Sequence, residues 1–528
     1  MNFKNQYETI LITVSTLVSI LISSFAWNYI DFSIHDIQEL GRGHYIENNY
    51  NQSNEILRYL TFILLPLTTF LSLMIFYKKI ELMDFFEQLK SLENINETDN
   101  RVINFLKILI CIFLLFEFLS LDFTSSELDL LHDGQKLSAA FKNYNDGSLW
   151  SGSFIIIGLF VEILNTSIMW KIFHHESIGL MRYAILIYII FCKLILVLIA
   201  YKIALFSKLK FFYKETFFLI LSLIFVSLIE YNGDRFGYRN IIFRELPILI
   251  FTLIFFDFLL DKSKIIKSVI VLAPLSVFSV MLSVDRGLVY NILLILFCLF
   301  LTINKKIKHL SFLLIAVLFF WFLTFLVLET EFSLFLKNSA YMLFDMNYVH
   351  GWIHPTPFSA EGGSTRATKT LIFILLNLII SFFLFSKKIN KFPLNLKISL
   401  LFFSTLSFLS YIYVLGRTEV HHLRESFGYP VIFLSTLILF IFFKFISMYN
   451  LDIIKNKKIL NFILPPIFLL LSYLYLGINF NNILNYKHRF TNYVYLNDES
   501  FLNKKDINFI ENSKKYIGKY KCFQNFTN

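Results

Sequence analysis

Apolar runs of about twenty residues recur along the whole chain, and nothing else in the sequence constrains its fold as strongly. A run of that length with few charges is read as a transmembrane helix. The candidates are Ile10–Tyr29, Leu60–Tyr77, Ile103–Leu121, Tyr183–Leu205, Thr216–Glu230, Ile241–Leu260, Ile266–Leu282, Leu288–Ile303, Leu310–Leu328, Thr370–Ser386, Leu396–Val414, Val431–Ile446 and Leu460–Leu476. Composition agrees: 56% of the 528 residues are hydrophobic, only 16% are charged, and 64 are Phe. Soluble domains carry roughly 25% charged residues. The sequence therefore predicts an all-α integral membrane protein with about 13 spans. Ile10–Tyr29 lacks a small-residue cleavage site and reads as a retained first helix.

The formal charge of +10 is not a nucleic-acid signal, because lysines cluster between the apolar runs. That is the positive-inside pattern. One stretch, Ser153–Phe173, is apolar yet carries Glu162, Asn165 and Lys171, as an interfacial amphipathic helix would. If it does not cross, alternate spans end in Lys78-Lys79, Lys202/Lys208/Lys210, Lys262/Lys264/Lys267, Lys305-Lys306/Lys308, Lys387-Lys388/Lys391 and Lys455/Lys457/Lys458. All six clusters then share one face, which is cytoplasmic together with the N-terminus. The expected location is the cell (inner) membrane, multi-pass, with the C-terminus outside.

The opposite face collects the longer loops: Asp31–Glu55, Asp122–Trp150, Glu230–Asn240, Ser283–Gly287, Glu329–Lys369, Gly416–Pro430 and the tail from Asn479. Asp, His, Arg and Tyr recur in them beside helix ends, as in a site assembled from loops over a helical scaffold. Cys111, Cys192 and Cys298 fall inside apolar runs and Cys522 stands alone in the tail, so no disulfide framework is visible. Lys193 sits midway through a span, where a charge faces a polar interior.

The most specific stretch runs Leu131-His132-Asp133-Gly134-Gln135-Lys136-Leu137, then Tyr144-Asn145-Asp146-Gly147 to Leu149-Trp150. It resembles the first extracytoplasmic loop of the C-type (GT-C) polytopic membrane glycosyltransferases, which use polyprenyl-phosphate sugars. Further pieces are similar to elements of that superfamily: Gly416-Arg417-Thr418-Glu419-x-x-His422-Leu423, Ser283-x-Asp285-Arg286-Gly287, Ser177-x-Gly179-x-x-Arg182, and the interfacial helix at Ser153–Phe173. The resemblance covers roughly Leu121 to Pro430 in architecture, but only these motifs in sequence.

It implies a GT-C-like bundle with an interfacial helix in its catalytic loop. Residues 1–102 would form an N-terminal two-helix addition, 103–478 the transmembrane core with its catalytic loop at 122–182, and 479–528 a short extracytoplasmic tail. It implies transfer of a sugar, with inversion, from a lipid-linked donor to a cell-envelope acceptor, whether glycan, lipid or protein. Asp133 would be the base, with His132 orienting it or the substrate. Arg286, Arg417, Arg235 and His422 would contact phosphate, with Asp285 and Glu419 beside them. In that superfamily the catalytic loop follows the first span, whereas Asp133 follows the third, so Asp36 in His35-Asp36-x-Gln38 is the alternative acid.

Each residue also has a bland reading. Asp133 could cap a helix starting at Gln135. Asp285-Arg286 and Asp234-Arg235 could be interfacial anchors. Trp352 and Tyr348 could form a sugar platform or an aromatic belt. Glu419, His421 and His422 offer donors to a divalent metal, but one short loop is a weak ligand set, and the pattern requires no cofactor. The competing functions are a lipid-linked oligosaccharide polymerase or ligase, and a flippase or transporter. Repeats and paired broken helices, which mark transporters, are absent from the sequence.

Overall fold

In a computed structural model the chain is an all-α integral membrane protein. The structure describes residues 3–32, 50–90, 101–121, 132–229, 241–261, 265–346, 351–386, 389, 392–416, 422–423, 426–448, 464–466, 470, 479–495, 504, 507–508 and 511–512. Among the described residues every regular element is helical. Hydrocarbon offers the backbone no water, so each crossing segment must satisfy its own hydrogen bonds.

The helices are α1 (Phe3–Trp27), α2 (Gln52–Phe76), α3 (Leu82–Lys90), α4 (Arg101–Leu119), α5 (His132–Asp146), α6 (Asn165–Phe173), α7 (Ile178–Phe206), α8 (Phe211–Val226) and α9 (Leu246–Leu260). They continue as α10 (Ile265–Leu282), α11 (Val284–Ile303), α12 (Ile307–Leu328), α13 (Thr330–Phe344), α14 (Ser364–Leu384), α15 (Leu394–Val414), α16 (Gly428–Met448), α17 (Phe480–Leu484) and α18 (Tyr486–Tyr495).

Among the described residues nine helices are long and apolar enough to cross a membrane: α1, α2, α4, α7, α11, α12, α14, α15 and α16. The segments expected to span near 216–230 and 241–260 are helices of 16 and 15 residues. The one expected at 266–282 is the 18-residue α10. Most of the segment expected at 460–476 lies outside the described residues.

The main core joins α4, α7, α8, α9, α10, α11, α15 and α16, with α7 at its centre packed on α4, α6, α8 and α9. A second core joins α1, α2, α14 and the end of α15 through Tyr411, Val414 and Leu415. α15 thus belongs to both. α12 is the opposite case: Leu313 is its buried residue, and Ile315, Leu318 and Val327 face outward.

The segment Ser153–Phe173 forms no helix long enough to cross a membrane. It is an extended stretch, a five-residue π-helical turn (Phe160–Leu164) and the nine-residue α6. One expectation for it is corrected. Glu162 and Asn165 do not face a headgroup region as on an amphipathic surface helix; both are buried against protein. The segment packs against α5, α7 and α10, so protein rather than lipid covers its polar side.

Candidate functional site

α5 packs on the π turn and pairs with Arg182 near the start of α7, and the first residues of α11 and α16 gather beside Tyr413 at the end of α15. α5 starts at His132, so Asp133 lies inside its first turn rather than capping a later start. A carboxylate there is favoured by the helix dipole. The helix stops at Gly147, whose φ of +77° suits glycine, while Asn143 Nδ2 donates to the carbonyls of Gly147 and Ser148.

Asp133 is held by Arg182, with Nη2 donating to Oδ2 at 3.0 Å. The Ser177-x-Gly179-x-x-Arg182 sequence explains how. Ser177 caps α7 by accepting from the Leu180 N–H at 3.1 Å. Gly179 admits the Tyr493 carbonyl so closely that a Cβ would stand 2.2 Å from it. Arg182, one turn on, then reaches Asp133. α18 closes over the pair: Tyr493 meets both Arg182 and Asp133, and the Tyr183 and Tyr486 hydroxyls are 3.3 Å apart.

The same first turn of α5 leads through Gln135 to Glu162. Gln135 Nε2 donates to its Oε1 at 2.7 Å, the Ile157 N–H to Oε1 at 3.0 Å, and the Ile156 N–H to Oε2 at 2.9 Å. Burial pushes the Glu162 carboxyl up to about 7, against those backbone donors and the charges of Lys136 and Arg244. The π turn that aims it inward is a distortion common at functional sites.

From Glu162 the segment touches the α10–α11 turn. The Val284 N–H donates to the Ile157 carbonyl at 3.0 Å. Gly158 passes so close that a Cβ would be 2.3 Å from the Leu282 carbonyl oxygen. Just beyond lie Asp285 and Arg286. Ser283 Oγ donates to Asp285, whose Oδ1 is 3.7 Å from Arg244 Nη1 and whose Oδ2 is 3.7 Å from Arg286 Nη1. Arg286 Nε is 3.3 Å from Glu245 Oε1. The Arg286 guanidinium carbon lies 4.2 Å from the centre of the Tyr413 ring, and Arg244 Nη2 donates to the Tyr413 hydroxyl at 3.2 Å. Tyr429 stands beside Glu245 and Arg286, and the His422 ring is 5.8 Å from that of Tyr413.

Access is uneven across this network. The side chains of Arg286 and Glu245 are 2% and 0% exposed, those of Arg244 and Asp285 14% and 22%. A buried charge needs a partner, and Glu245 supplies one for Arg286. Arg286, expected to meet a phosphate, thus forms the floor, and Arg244 is the guanidinium nearer the surface.

The structure gathers Asp285, Arg286 and His422 around Tyr413 and joins the Asp133 helix to them through Gln135 and Glu162. His132 begins α5. Asp36, Arg235, Arg417 and Glu419 lie outside the described residues, as does His421. Among the described residues no three His, Cys, Asp or Glu side chains converge as a metal site. Sequence reasoning missed Glu162, Arg244, Glu245, Tyr413 and Tyr429. The signal for Arg244 and Glu245 was present: a charged pair directly before Leu246-Pro247, with Pro in the first turn of a predominantly apolar helix.

A second buried cluster sits on the other flank of α15. His354 Nε2 and the Tyr411 hydroxyl are 2.6 Å apart, the His354 N–H donates to Glu55 Oε2 at 3.1 Å, and Arg58 pairs with Glu55 at 2.6 Å. It fastens the 351–363 loop to α2 and α15. Burial holds His354 down to about 4.

No family model, curated protein or solved structure matches this chain.

Proposed function

We propose that the protein is a membrane glycosyltransferase that moves a sugar from a polyprenyl-phosphate donor to a cell-envelope acceptor on the extracytoplasmic face. The side is assigned by charge. Lys78-Lys79, Lys208 and Lys305-Lys306 follow the far ends of α2, α7 and α11, and lysine-rich ends belong inside. The observation that carries the reading is the chain Asp133 helix–Gln135–Glu162–Arg244/Asp285, which links a carboxylate in the first turn of α5 to a compensated arginine cluster.

In the proposed reaction an acceptor hydroxyl oxygen attacks the anomeric carbon. The bond from that carbon to the phosphate oxygen breaks, and the configuration inverts. Asp133 takes the hydroxyl proton as the new bond forms. Arg182 keeps its carboxylate pointed at the reacting oxygen. The leaving phosphate carries negative charge, and Arg244 is suited to receive it by bidentate contact. Arg286 beneath Tyr413 holds Asp285 and, through it, Arg244 in place.

The test is substitution of Asp133→Asn and Arg244→Gln in cells whose envelope glycans are analysed at matched protein abundance. Removal of a general base lowers turnover about 10²–10⁴-fold, so Asp133→Asn is expected to abolish the glycan product. Unchanged glycans with a normally abundant Asp133→Asn protein would contradict the proposal. Build-up of intact lipid-linked sugar on the inner leaflet would favour a flippase instead.

A further inference from the structure

The 150–154 loop and α13 line an open groove of about 570 Å³. Small-ligand sites span roughly 300–1,000 Å³. We propose that this groove binds a short saccharide; that the saccharide is the acceptor glycan rests on the transferase reading above.

The lining has the right mixture. Phe154 and Tyr341 present rings beside the largely buried Trp150, Leu334 adds an apolar side chain, Ser151 and Asn338 are polar but already bonded within the protein, and Lys337 adds a cation. Sugars show apolar C–H faces that pack on aromatic rings and hydroxyls that need polar partners. Phe154 is 49% exposed and meets Tyr341 edge-on at 5.4 Å. An outward ring on a loose loop would mean little, but this loop is pinned. Glu331 accepts from both the Ser151 N–H and its hydroxyl. Asn338 accepts from the Ile155 N–H at 3.2 Å and donates to the Ile155 carbonyl at 2.7 Å. A preformed wall of this kind lowers the ordering cost of binding.

The same segment continues into the N–H groups of Ile156 and Ile157 that hold Glu162, and into the Ile157 carbonyl bonded to Val284. The groove and the proposed reaction centre therefore share one rigid wall. Membrane lipid is the rival occupant. Leu334 is an exposed apolar side chain inside the groove, as Leu336 and Phe344 are outside it. An acyl chain would match Leu334 and Phe154 but not the cation of Lys337 in the same groove.

The experiment uses the purified full-length protein in detergent and follows tryptophan emission during titration with chitotetraose, maltotetraose and tetragalacturonate. At least one is expected to give a saturable change. Trp150→Phe should remove it, and Phe154→Ala should weaken it about tenfold, as loss of one stacked ring does. Lys337→Ala should weaken tetragalacturonate more than the neutral saccharides. No saturable change with any of the three at millimolar concentration would overturn the inference. So would quenching of Trp150 by brominated phosphatidylcholine in reconstituted vesicles, which would make the groove a lipid contact. Saccharide binding that persists while Asp133→Asn leaves the glycans unchanged would keep the groove and sink the transferase reading. Loss of glycans in Asp133→Asn without any saccharide binding would do the reverse.

Discussion

Glu162 accepts three N–H donors while buried, and the balance of those two effects sets its response to pH. Its folded-state value is pushed up to about 7 from an ordinary 4.5. A raised carboxyl contributes stability that is complete below the unfolded value and is lost as pH rises through the folded one. Thermal midpoints of the solubilised protein should therefore fall between about pH 5 and 8, and Glu162→Gln should flatten that slope while lowering the midpoint overall. An unchanged slope in the variant would show that another group is responsible. His354 acts in the opposite sense: its value drops from 6.5 to about 4, so its stabilising effect is present above 6.5 and is lost as pH falls through about 4. Asp133 stood out in the sequence through its His-Asp-Gly motif, and Asp285 and Arg286 because they sit in a short turn between two apolar runs. Glu162 was read as the polar mark of a surface helix, since a single carboxylate among isoleucines and leucines does not reveal what covers it. The donors that bury it, Gln135 and two backbone amides, are set by tertiary packing.

At the level of elements, glycines decide how closely segments approach the site. A Cβ on Gly287 would lie 2.4 Å from the Val280 Cα, so α10 and α11 cross there only because the side chain is missing. Gly287→Ala should force the two helices apart and cost about 1–3 kcal/mol, read as a lower thermal midpoint. A midpoint equal to wild type would mean that the turn yields freely. The long spans were legible because a run of about twenty apolar residues has few alternatives. α8 and α9 were harder, since helices with only one or two charged residues carry little periodic signal to mark their ends. The π turn and the Phe243–Glu245 3₁₀ turn left no sequence mark at all, yet they aim Glu162 and place Arg244. The Ser177, Gly179 and Arg182 spacing was noticed as a motif, and the structure gives each residue a separate physical task.

Across the whole molecule, α15 joins two cores and presents Tyr411 to the His354 cluster and Tyr413 to the arginine cluster. The proposed sidedness makes a direct prediction. In an otherwise cysteine-free protein, Ala360→Cys, in the exposed part of the 351–363 loop, should react with a membrane-impermeant maleimide in intact cells. Lys305→Cys, beyond the far end of α11, should react only after lysis. The reverse pattern would place the arginine cluster in the cytosol. The most direct measurement of the central claim is transfer by the purified protein in proteoliposomes, supplied with polyprenyl-phosphate sugars and an envelope glycan acceptor. Wild type should release free polyprenyl phosphate in step with product, and Asp133→Asn, with its fold intact, should release none above background. Equal release by the two proteins, or none by wild type with any donor, would contradict the claim.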